Sequence, residues 1–134
     1  MSERPFITCH ALDTVEGKPA AGIAVELRLL GPTDAFGPWT ARTDNDGRVT
    51  AWSSSNPDGN VTVNEAVAQV ELDFELDEGE QMVWSLTFET EAYFGKGKTF
   101  WPQVELNFAT KKGEDHYHVP LLLGPWSYTT YRGS

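Results

Sequence analysis

Short segments in which apolar and polar residues alternate constrain the fold of this chain more than any other sequence feature. From Ile23 to Leu29, every second side chain is apolar and the others are small or charged. A period of two puts the apolar side chains on one face of a β-strand. Several such segments follow one another, separated by clusters of Gly, Pro, Asn and Asp that favour turns. The pattern predicts an all-β fold, an antiparallel β-sandwich of about eight strands with one short helix.

The predicted strands can be placed along the chain. They are expected at residues 6–12, 22–30, 39–43, 48–52, 70–77, 82–88, 100–109, 115–123 and 126–132. The alternation is most regular in residues 70–77, and turn residues at 78–80 predict a hairpin between this strand and the next. A second hairpin is expected to close at residues 111–113, where Lys-Lys-Gly separates two strand patterns.

Two of the segments between the strands have their own signals. Residues 53–66 are polar and rich in turn residues, which indicates a loop. A helical turn is expected at residues 90–94, with Thr90 as its cap and Gly95 at its end. This turn is the one short helix of the predicted fold.

Length and composition limit the classes of protein to which the chain can belong. With 134 residues, 40% of them apolar, we expect a single domain over residues 1–134. No apolar segment approaches the roughly 18 residues of a membrane span, and the first residues lack the layout of a secretory signal. The single cysteine, Cys9, excludes an intramolecular disulfide. These features predict a cytoplasmic protein, with a peroxisomal location not excluded.

The formal net charge of −10 comes entirely from one part of the chain. Residues 49–95 contain ten acidic residues and no Lys or Arg, whereas the rest of the chain contains ten residues of each sign. Because phosphate contacts need Lys and Arg, this distribution predicts that the chain binds no nucleic acid. The acidic segment is more typical of a solvated edge or loop than of a site for a cation or a partner.

The three histidines are the first candidates for chemistry, because imidazole titrates near neutral pH. His116 and His118 are two positions apart, so on a strand they project to the same face. The spacing also suits a metal pair, but a zinc site needs a third ligand, for which only His10 or a carboxylate is available. Hydrogen-bonded structural histidines are the commoner case, and the spacing alone leaves these possibilities open.

Three other features are weaker candidates. Residues 44–47 resemble the opening of a calcium loop, but Ser55 stands where that loop needs Glu, so a plain β-turn is expected. Arg48 follows this turn, either as an ordinary surface residue or as a group that binds a planar, carbonyl-rich ligand. Cys9 and His10 are neighbours that point to opposite faces of a strand, so a nucleophile–base pair is excluded and a buried Cys9 is expected.

Four segments of the chain together form a specific pattern. They are Cys9-His10-Ala11-Leu12-Asp13-Thr14 with Gly17-Lys18-Pro19-Ala20-Ala21-Gly22, then Thr43-Asp44-Asn45-Asp46-Gly47-Arg48, then Ala92-Tyr93-Phe94 with Phe100-Trp101-Pro102, and finally His116-Tyr117-His118-Val119-Pro120-Leu121-Leu122-Leu123 with Tyr131-Arg132-Gly133-Ser134. In this order along the chain, the four segments resemble the transthyretin-related 5-hydroxyisourate hydrolases. The resemblance covers roughly residues 6–52 and 82–134, and the last tetrapeptide makes it specific.

The resemblance implies a prealbumin-like β-sandwich that assembles as a homotetramer, a dimer of dimers with active sites in a channel where the dimers meet. The implied reaction is the hydrolysis of 5-hydroxyisourate, the purine-derived product of urate oxidation, to 2-oxo-4-hydroxy-4-carboxy-5-ureidoimidazoline. No cofactor and no metal are implied. The implied catalytic residues are His10, Arg48, His118 and Ser134, and the implied substrate-binding residues are His10, Arg48 and Tyr131. The same resemblance gives no catalytic role to the third histidine.

The family pattern is not matched everywhere, and residues 53–81 are one of three departures from it, with Ala11 and the turn at residues 124–127. Residues 53–81 are longer and more acidic than the corresponding connection in the family, and are expected to form an acidic insertion. Two alternative functions stay open at this point. One is a transthyretin-type carrier that binds a small ligand without catalysis, and the other is an interaction module that binds a partner through the acidic hairpin predicted at residues 70–88. A metal-dependent hydrolase that uses the His-x-His pair is a more distant alternative.

Overall fold

Two five-stranded sheets enclose the hydrophobic core in a computed structural model that describes residues 4–56 and 59–134. The strands are β1 (Ile7–Asp13), β2 (Lys18–Pro19), β3 (Ala24–Gly31), β4 (Trp39–Arg42), β5 (Arg48–Val49), β6 (Ser53–Ser54), β7 (Gln81–Phe88), β8 (Val104–Lys111), β9 (Tyr117–Leu123) and β10 (Tyr128–Thr130). The helices are α1 (Val63–Asp73) and α2 (Thr90–Phe94). Part of the predicted loop (residues 57–58) and part of the segment considered for a secretory signal (residues 1–3) lie outside the described residues.

The order of strands brings distant parts of the chain together. The first sheet has the order β10-β9-β1-β2, with β5 also pairing with β1. The second sheet has the order β6-β4-β3-β7-β8. The predicted all-β sandwich is therefore confirmed, but one pair, β1 with β9, is parallel rather than antiparallel.

The core lies between the sheets and is filled by large apolar side chains. Trp39 and Trp84 of the second sheet are fully buried, as are Ile7 and Leu121 of the first. Fully burying a side chain of this kind stabilises the fold by roughly 1.5–3 kcal/mol. The indole N–H groups also have acceptors: Trp39 Nε1 donates to Val61 O at 2.9 Å and Trp84 Nε1 to a threonine hydroxyl at 2.9 Å.

The strand predicted at residues 70–77 is wrong, because α1 occupies the first half of that stretch and the second half forms no strand. The helix begins with a capping box in which Thr62 Oγ1 accepts a hydrogen bond from the Glu65 N–H at 3.0 Å and Glu65 Oε1 accepts one from the Thr62 N–H at 2.9 Å. Its buried residues, Val63, Ala66, Val67 and Val70, recur at helical spacing. The predicted loop at 53–66 therefore ends in the first turn of a helix.

The alternating pattern at the end of α1 has no common buried face. Leu72 is 72% exposed and Phe74 is 47% exposed, although both are apolar members of the predicted strand. No hairpin forms at residues 70–88, because α1 leads into β7 through an irregular connection. The acidic hairpin on which the interaction-module alternative was based is therefore not formed, and nothing else in residues 70–88 supports that alternative.

Two further connections differ from the predictions. The turn at residues 111–113 does not close a hairpin, since β8 belongs to the second sheet and β9 to the first. The helix α2 is confirmed, with Gly95 at its end, but Glu89 and not Thr90 is its N-cap residue. Thr90 instead donates its hydroxyl to Trp101 O at 2.5 Å. Across residues 4–56 and 59–134, neither helix has the length and apolar character needed to cross a membrane.

Candidate active site

Three neighbouring strands of the first sheet bring together three of the residues singled out in the sequence. His10 on β1 lies opposite Arg48 on β5 in the antiparallel register. On the other side of β1, Thr8 lies opposite His118 on β9 in the parallel register. The ring centroids of His10 and His118 are 6.3 Å apart. Residues far apart in the sequence thus form one cluster on the sheet.

The alternation of β1 explains why His10 lies on the face away from the core. Ile7, Cys9 and Ala11 are fully buried, so the residues between them project from the opposite face. Burial raises the pKa of the Cys9 thiol to about 12, which keeps it protonated and unreactive. The expectation of a buried Cys9 that takes no part in chemistry is consistent with this placement.

The turn before β5 is stabilised by one of its own side chains and lies close to β1. Asp44 Oδ1 accepts hydrogen bonds from the N–H groups of Asp46 at 2.8 Å and Arg48 at 2.9 Å. Gly47 has a φ of 76°, and a Cβ at this position would lie 2.3 Å from the Ala11 carbonyl oxygen. Only glycine therefore permits this close approach to β1. The predicted β-turn is confirmed, and it fixes the start of β5.

The same turn also orients His10. The Nε2 atom of His10 lies 2.9 Å from the backbone oxygen of Asp46. A carbonyl oxygen can only accept, so His10 Nε2 is the donor in this hydrogen bond. The turn therefore fixes the ring of His10 as well as the backbone of Arg48.

His118 is held from β1 by a side-chain hydroxyl. Its Nδ1 atom lies 2.7 Å from Thr8 Oγ1, and Thr8 is only 8% exposed. Burial of the ring, followed by electrostatic interaction with the neighbouring His10, His116 and Arg48, lowers the pKa of His118 below its ordinary value. The ring is therefore neutral at neutral pH and able to act as a base or as a hydrogen-bond donor.

The segment after β10 crosses directly over His118. The Gly133 N–H donates to the His118 backbone oxygen at 2.8 Å. A Cβ at Gly133 would lie 2.8 Å from His118 Cδ2 and 3.1 Å from Pro120 Cγ. The absence of a side chain at position 133 therefore allows the segment to lie against the histidine ring.

Arg132 anchors this segment to the neighbouring surface. Its Nη2 atom lies 3.3 Å from Glu114 Oε2, and its Cζ atom lies 4.4 Å from the centroid of the Tyr117 ring. The Tyr117 hydroxyl donates to the same Glu114 carboxylate, and this hydrogen bond, with the positive charge of Arg132, lowers the pKa of Glu114. Arg132 thus holds the segment in position through Glu114 and Tyr117.

The remaining predicted site residues, Tyr131 and Ser134, are exposed and have no hydrogen bond within the described residues. Tyr131 lines a pocket of about 240 Å³ together with His118 and residues of β8. His10 and Arg48 do not line this pocket. The protomer therefore brings His10, Arg48 and His118 together and leaves Tyr131 beside only one of them.

The third histidine has a structural partner. His116 Nδ1 donates to the Pro5 backbone oxygen at 2.6 Å, which ties the start of β9 to the segment before β1. Within residues 4–56 and 59–134, no group of three His, Cys, Asp or Glu side chains is arranged to hold a metal ion.

The sequence interpretation missed three groups at this site. The backbone oxygen of Asp46 and the close approach of Gly133 have no signal in the residue pattern. Thr8 does have one, because it precedes His10 by two positions and so shares its face of β1. The contact of Thr8 with His118 could not be predicted without the parallel pairing of β1 with β9.

Comparison with known proteins agrees with this geometry. A model of the HIUase/Transthyretin family matches residues 7–133. The chain belongs to this family. It is 39% identical to the 5-hydroxyisourate hydrolase of Deinococcus radiodurans, over 100% of both chains. Family membership and the prealbumin-like fold expected from the sequence are therefore confirmed.

Two solved structures of the family have the same fold. The 5-hydroxyisourate hydrolase of Klebsiella pneumoniae superimposes with a TM-score of 0.62 at 30% identity, covering 97% of this chain and 99% of that one. The transthyretin of Sparus aurata superimposes with a TM-score of 0.69 at 24% identity, covering 97% of both chains. The fold is thus common to a hydrolase and a transthyretin, so the fold by itself does not decide between the two functions.

Proposed function

We propose that this chain hydrolyses 5-hydroxyisourate to 2-oxo-4-hydroxy-4-carboxy-5-ureidoimidazoline, without a cofactor. The observation that carries the proposal is the cluster of His10, Arg48 and His118 on one face of the first sheet. The hydrolases that match the whole chain support the same reaction. A carrier of small ligands has no need for two imidazoles and a guanidinium at this spacing, so the enzyme is favoured over the carrier.

The reaction opens the amide bond between N1 and C6 of the oxidised purine. Water adds to the C6 carbonyl carbon, negative charge develops on the carbonyl oxygen, and N1 leaves with a proton. His10 and His118 activate the water, since imidazole accepts a proton near neutral pH. Arg48 binds the ring carbonyls and stabilises the developing charge, because its planar guanidinium donates two parallel hydrogen bonds.

The terminal segment completes the proposed site. Tyr131 binds the substrate, and the Ser134 hydroxyl orients the substrate or the histidines. Both side chains are exposed and available to a ligand. The cytoplasm is the proposed compartment for this reaction.

The proposed assembly is a homotetramer. Two features support it: β8 and β10 are edge strands with unpaired backbone groups, and Tyr131 is 56% exposed beside His118. Subunits that pair at such edges extend both sheets, and a second copy facing the cluster completes the enclosure of a small substrate.

The experiment that tests the function is a direct assay. Freshly prepared 5-hydroxyisourate, generated with urate oxidase, decays spontaneously, and its ultraviolet absorbance should disappear faster when this protein is added. Treatment with a chelator should leave the rate unchanged, whereas loss of the rate would favour the metal-dependent alternative. A decay no faster than the spontaneous one would refute the proposal.

Single substitutions test the roles of the cluster. His118→Ala and Arg48→Ala should each lower kcat/KM by at least ~100-fold, because each side chain acts mainly on the transition state. Arg28→Ala is the matched control, since Arg28 pairs with Glu26 on the second sheet. A rate near that of the wild type in either site variant would show that the residue has another role.

A further inference from the structure

The two histidines have different kinds of hydrogen-bond partner, and the partner decides which ring nitrogen carries the proton. His10 Nε2 donates to the Asp46 carbonyl oxygen at 2.9 Å. A neutral imidazole has one N–H, so the lone pair of His10 is on Nδ1. The basic atom of His10 is therefore Nδ1.

For His118 the partner is the Thr8 hydroxyl, which can donate or accept. Thr8 is 8% exposed, and within the described residues its hydroxyl has no hydrogen-bond partner other than His118 Nδ1, at 2.7 Å. A buried hydroxyl that fails to donate costs about 1–3 kcal/mol. The hydroxyl therefore donates to Nδ1, and the proton of the neutral His118 ring is on Nε2.

The surroundings of His118 maintain this arrangement. Burial of the ring, followed by the neighbouring His10, His116 and Arg48, lowers the pKa of His118, so the ring stays neutral and one of its nitrogens keeps a lone pair that the Thr8 hydroxyl can reach. On β9 itself, Pro120 and Leu122 share the outer face with His118 and carry no charge. Gly133, which crosses the ring, contributes only backbone.

We propose that Thr8 is a positioning residue that leaves different ring nitrogens of the two histidines free for the substrate. Nε2–H is free in His118, where Thr8 occupies Nδ1, and Nδ1 is free in His10, where the Asp46 oxygen occupies Nε2. With Thr8 donating to Nδ1, His118 offers an Nε2–H donor to the substrate, and His10 is the general base through Nδ1. The inference rests on the proposed function and refines it, because it assigns the activation of water to His10 and the hydrogen bond to the carbonyl oxygen to His118.

The division of roles accounts for every proton in the hydrolysis. His10 Nδ1 takes a proton from water as the water oxygen bonds to C6. The Nε2–H of His118 donates a hydrogen bond to the carbonyl oxygen as that oxygen gains negative charge. When the N1–C6 bond breaks, His10 returns its proton to N1, and the enzyme is restored.

The proton positions can be measured without substrate. Long-range ¹H–¹⁵N NMR of protein labelled in histidine, at about pH 7.5, distinguishes the two neutral tautomers of each ring. In the wild type, both His10 and His118 should carry the proton on Nε2. Observation of Nδ1–H at His118 would overturn the proposal, whatever the enzyme activity.

Variants of Thr8 connect the tautomer to the rate. Thr8→Val removes the hydroxyl at nearly constant volume and should lower kcat by roughly tenfold or more, with little change in KM, because wrong-tautomer variants lose transition-state stabilisation. Thr8→Ser should restore most of kcat and the Nε2–H signal. Thr14→Val is the control, since the Thr14 hydroxyl also donates to β9, at Leu123 O, and has no hydrogen bond to a histidine within the described residues. A wild-type kcat in Thr8→Val would overturn the proposal.

Glutamine variants separate the base from the donor. A glutamine amide keeps an N–H near the place of Nε2 but accepts no proton. We therefore expect His118→Gln to retain clearly more activity than His118→Ala, and His10→Gln to lose ~100-fold or more. The reverse order of activities would overturn the assignment. If wild-type protein shows no hydrolysis, the proposed function fails, and the NMR result still decides the role of Thr8.

Discussion

Gly133 decides how closely the terminal segment approaches His118. The backbone of Gly133 accepts an alanine, but its Cβ would lie 2.8 Å from His118 Cδ2. We expect Gly133→Ala to displace the ring and lower kcat/KM by ~10–100-fold, since small displacements of a reacting group cost about this much. The steady-state rate constants, together with the melting temperature, measure the effect.

A matched glycine provides the control. A Cβ at Gly31 would meet no atom within 4 Å, so Gly31→Ala should leave kcat/KM unchanged. If Gly133→Ala has wild-type kinetics at an unchanged melting temperature, the segment does not hold the ring of His118.

The lowered pKa of His118 predicts a pH dependence of stability. The unfolded chain binds a proton on this ring as the pH falls through about 6.5, whereas the folded chain binds it only at a lower pH. Stability should therefore be highest above about pH 6.5 and decline as the pH falls toward the folded-state pKa. Urea unfolding between about pH 8 and pH 5 measures this decline. In His118→Gln, which has no titrating ring, the decline should be smaller, and an equal decline would contradict the prediction.

At the scale of elements, α1 depends on its cap as well as on its buried face. Thr62→Ala removes the capping box and should lower the free energy of unfolding by about 1 kcal/mol. Ala68 is exposed in the middle of α1, and Ala68→Gly should lower it by about 0.5–1 kcal/mol. Urea unfolding and far-ultraviolet circular dichroism measure both effects.

The controls for α1 test its separation from the site. Thr62→Asn keeps a side-chain acceptor at the cap and should be close to the wild type in stability. None of the three variants should change kcat, because the hydrogen bonds to the imidazole rings of the histidine cluster in the described part of the chain come from Thr8 and Asp46 and not from α1. Unchanged stability in both Thr62→Ala and Ala68→Gly would show that residues 63–73 are not helical in solution.

At the scale of the whole molecule, the proposed tetramer predicts the mass of the active species. Light scattering coupled to size exclusion should give four times the chain mass of 14.9 kDa. Specific activity should fall on dilution to the concentration at which the assembly dissociates, because a single protomer leaves Tyr131 exposed beside His118. A monomer with full activity would contradict the prediction.

The sequence alone determined most of the strands and the outward face of His10. These features follow from local alternation: Ile7, Cys9 and Ala11 must face the core together, and His10 must then face away. The short helix before Gly95 was also predictable, since its signals lie within a few residues of each other. The same local pattern predicted a strand wrongly at residues 70–77, because the alternation there begins inside an amphipathic helix and continues past its end.

Only the tertiary structure decided which residues meet. The parallel pairing of β1 with β9 places Thr8 opposite His118. The turn before β5 places the Asp46 backbone oxygen within hydrogen-bond distance of His10. Both contacts join residues that are far apart along the chain and depend on strand order and register. An alternating pattern specifies the buried face of a strand but contains no information about its neighbour. The pairing is chosen when the two sheets pack on their common core.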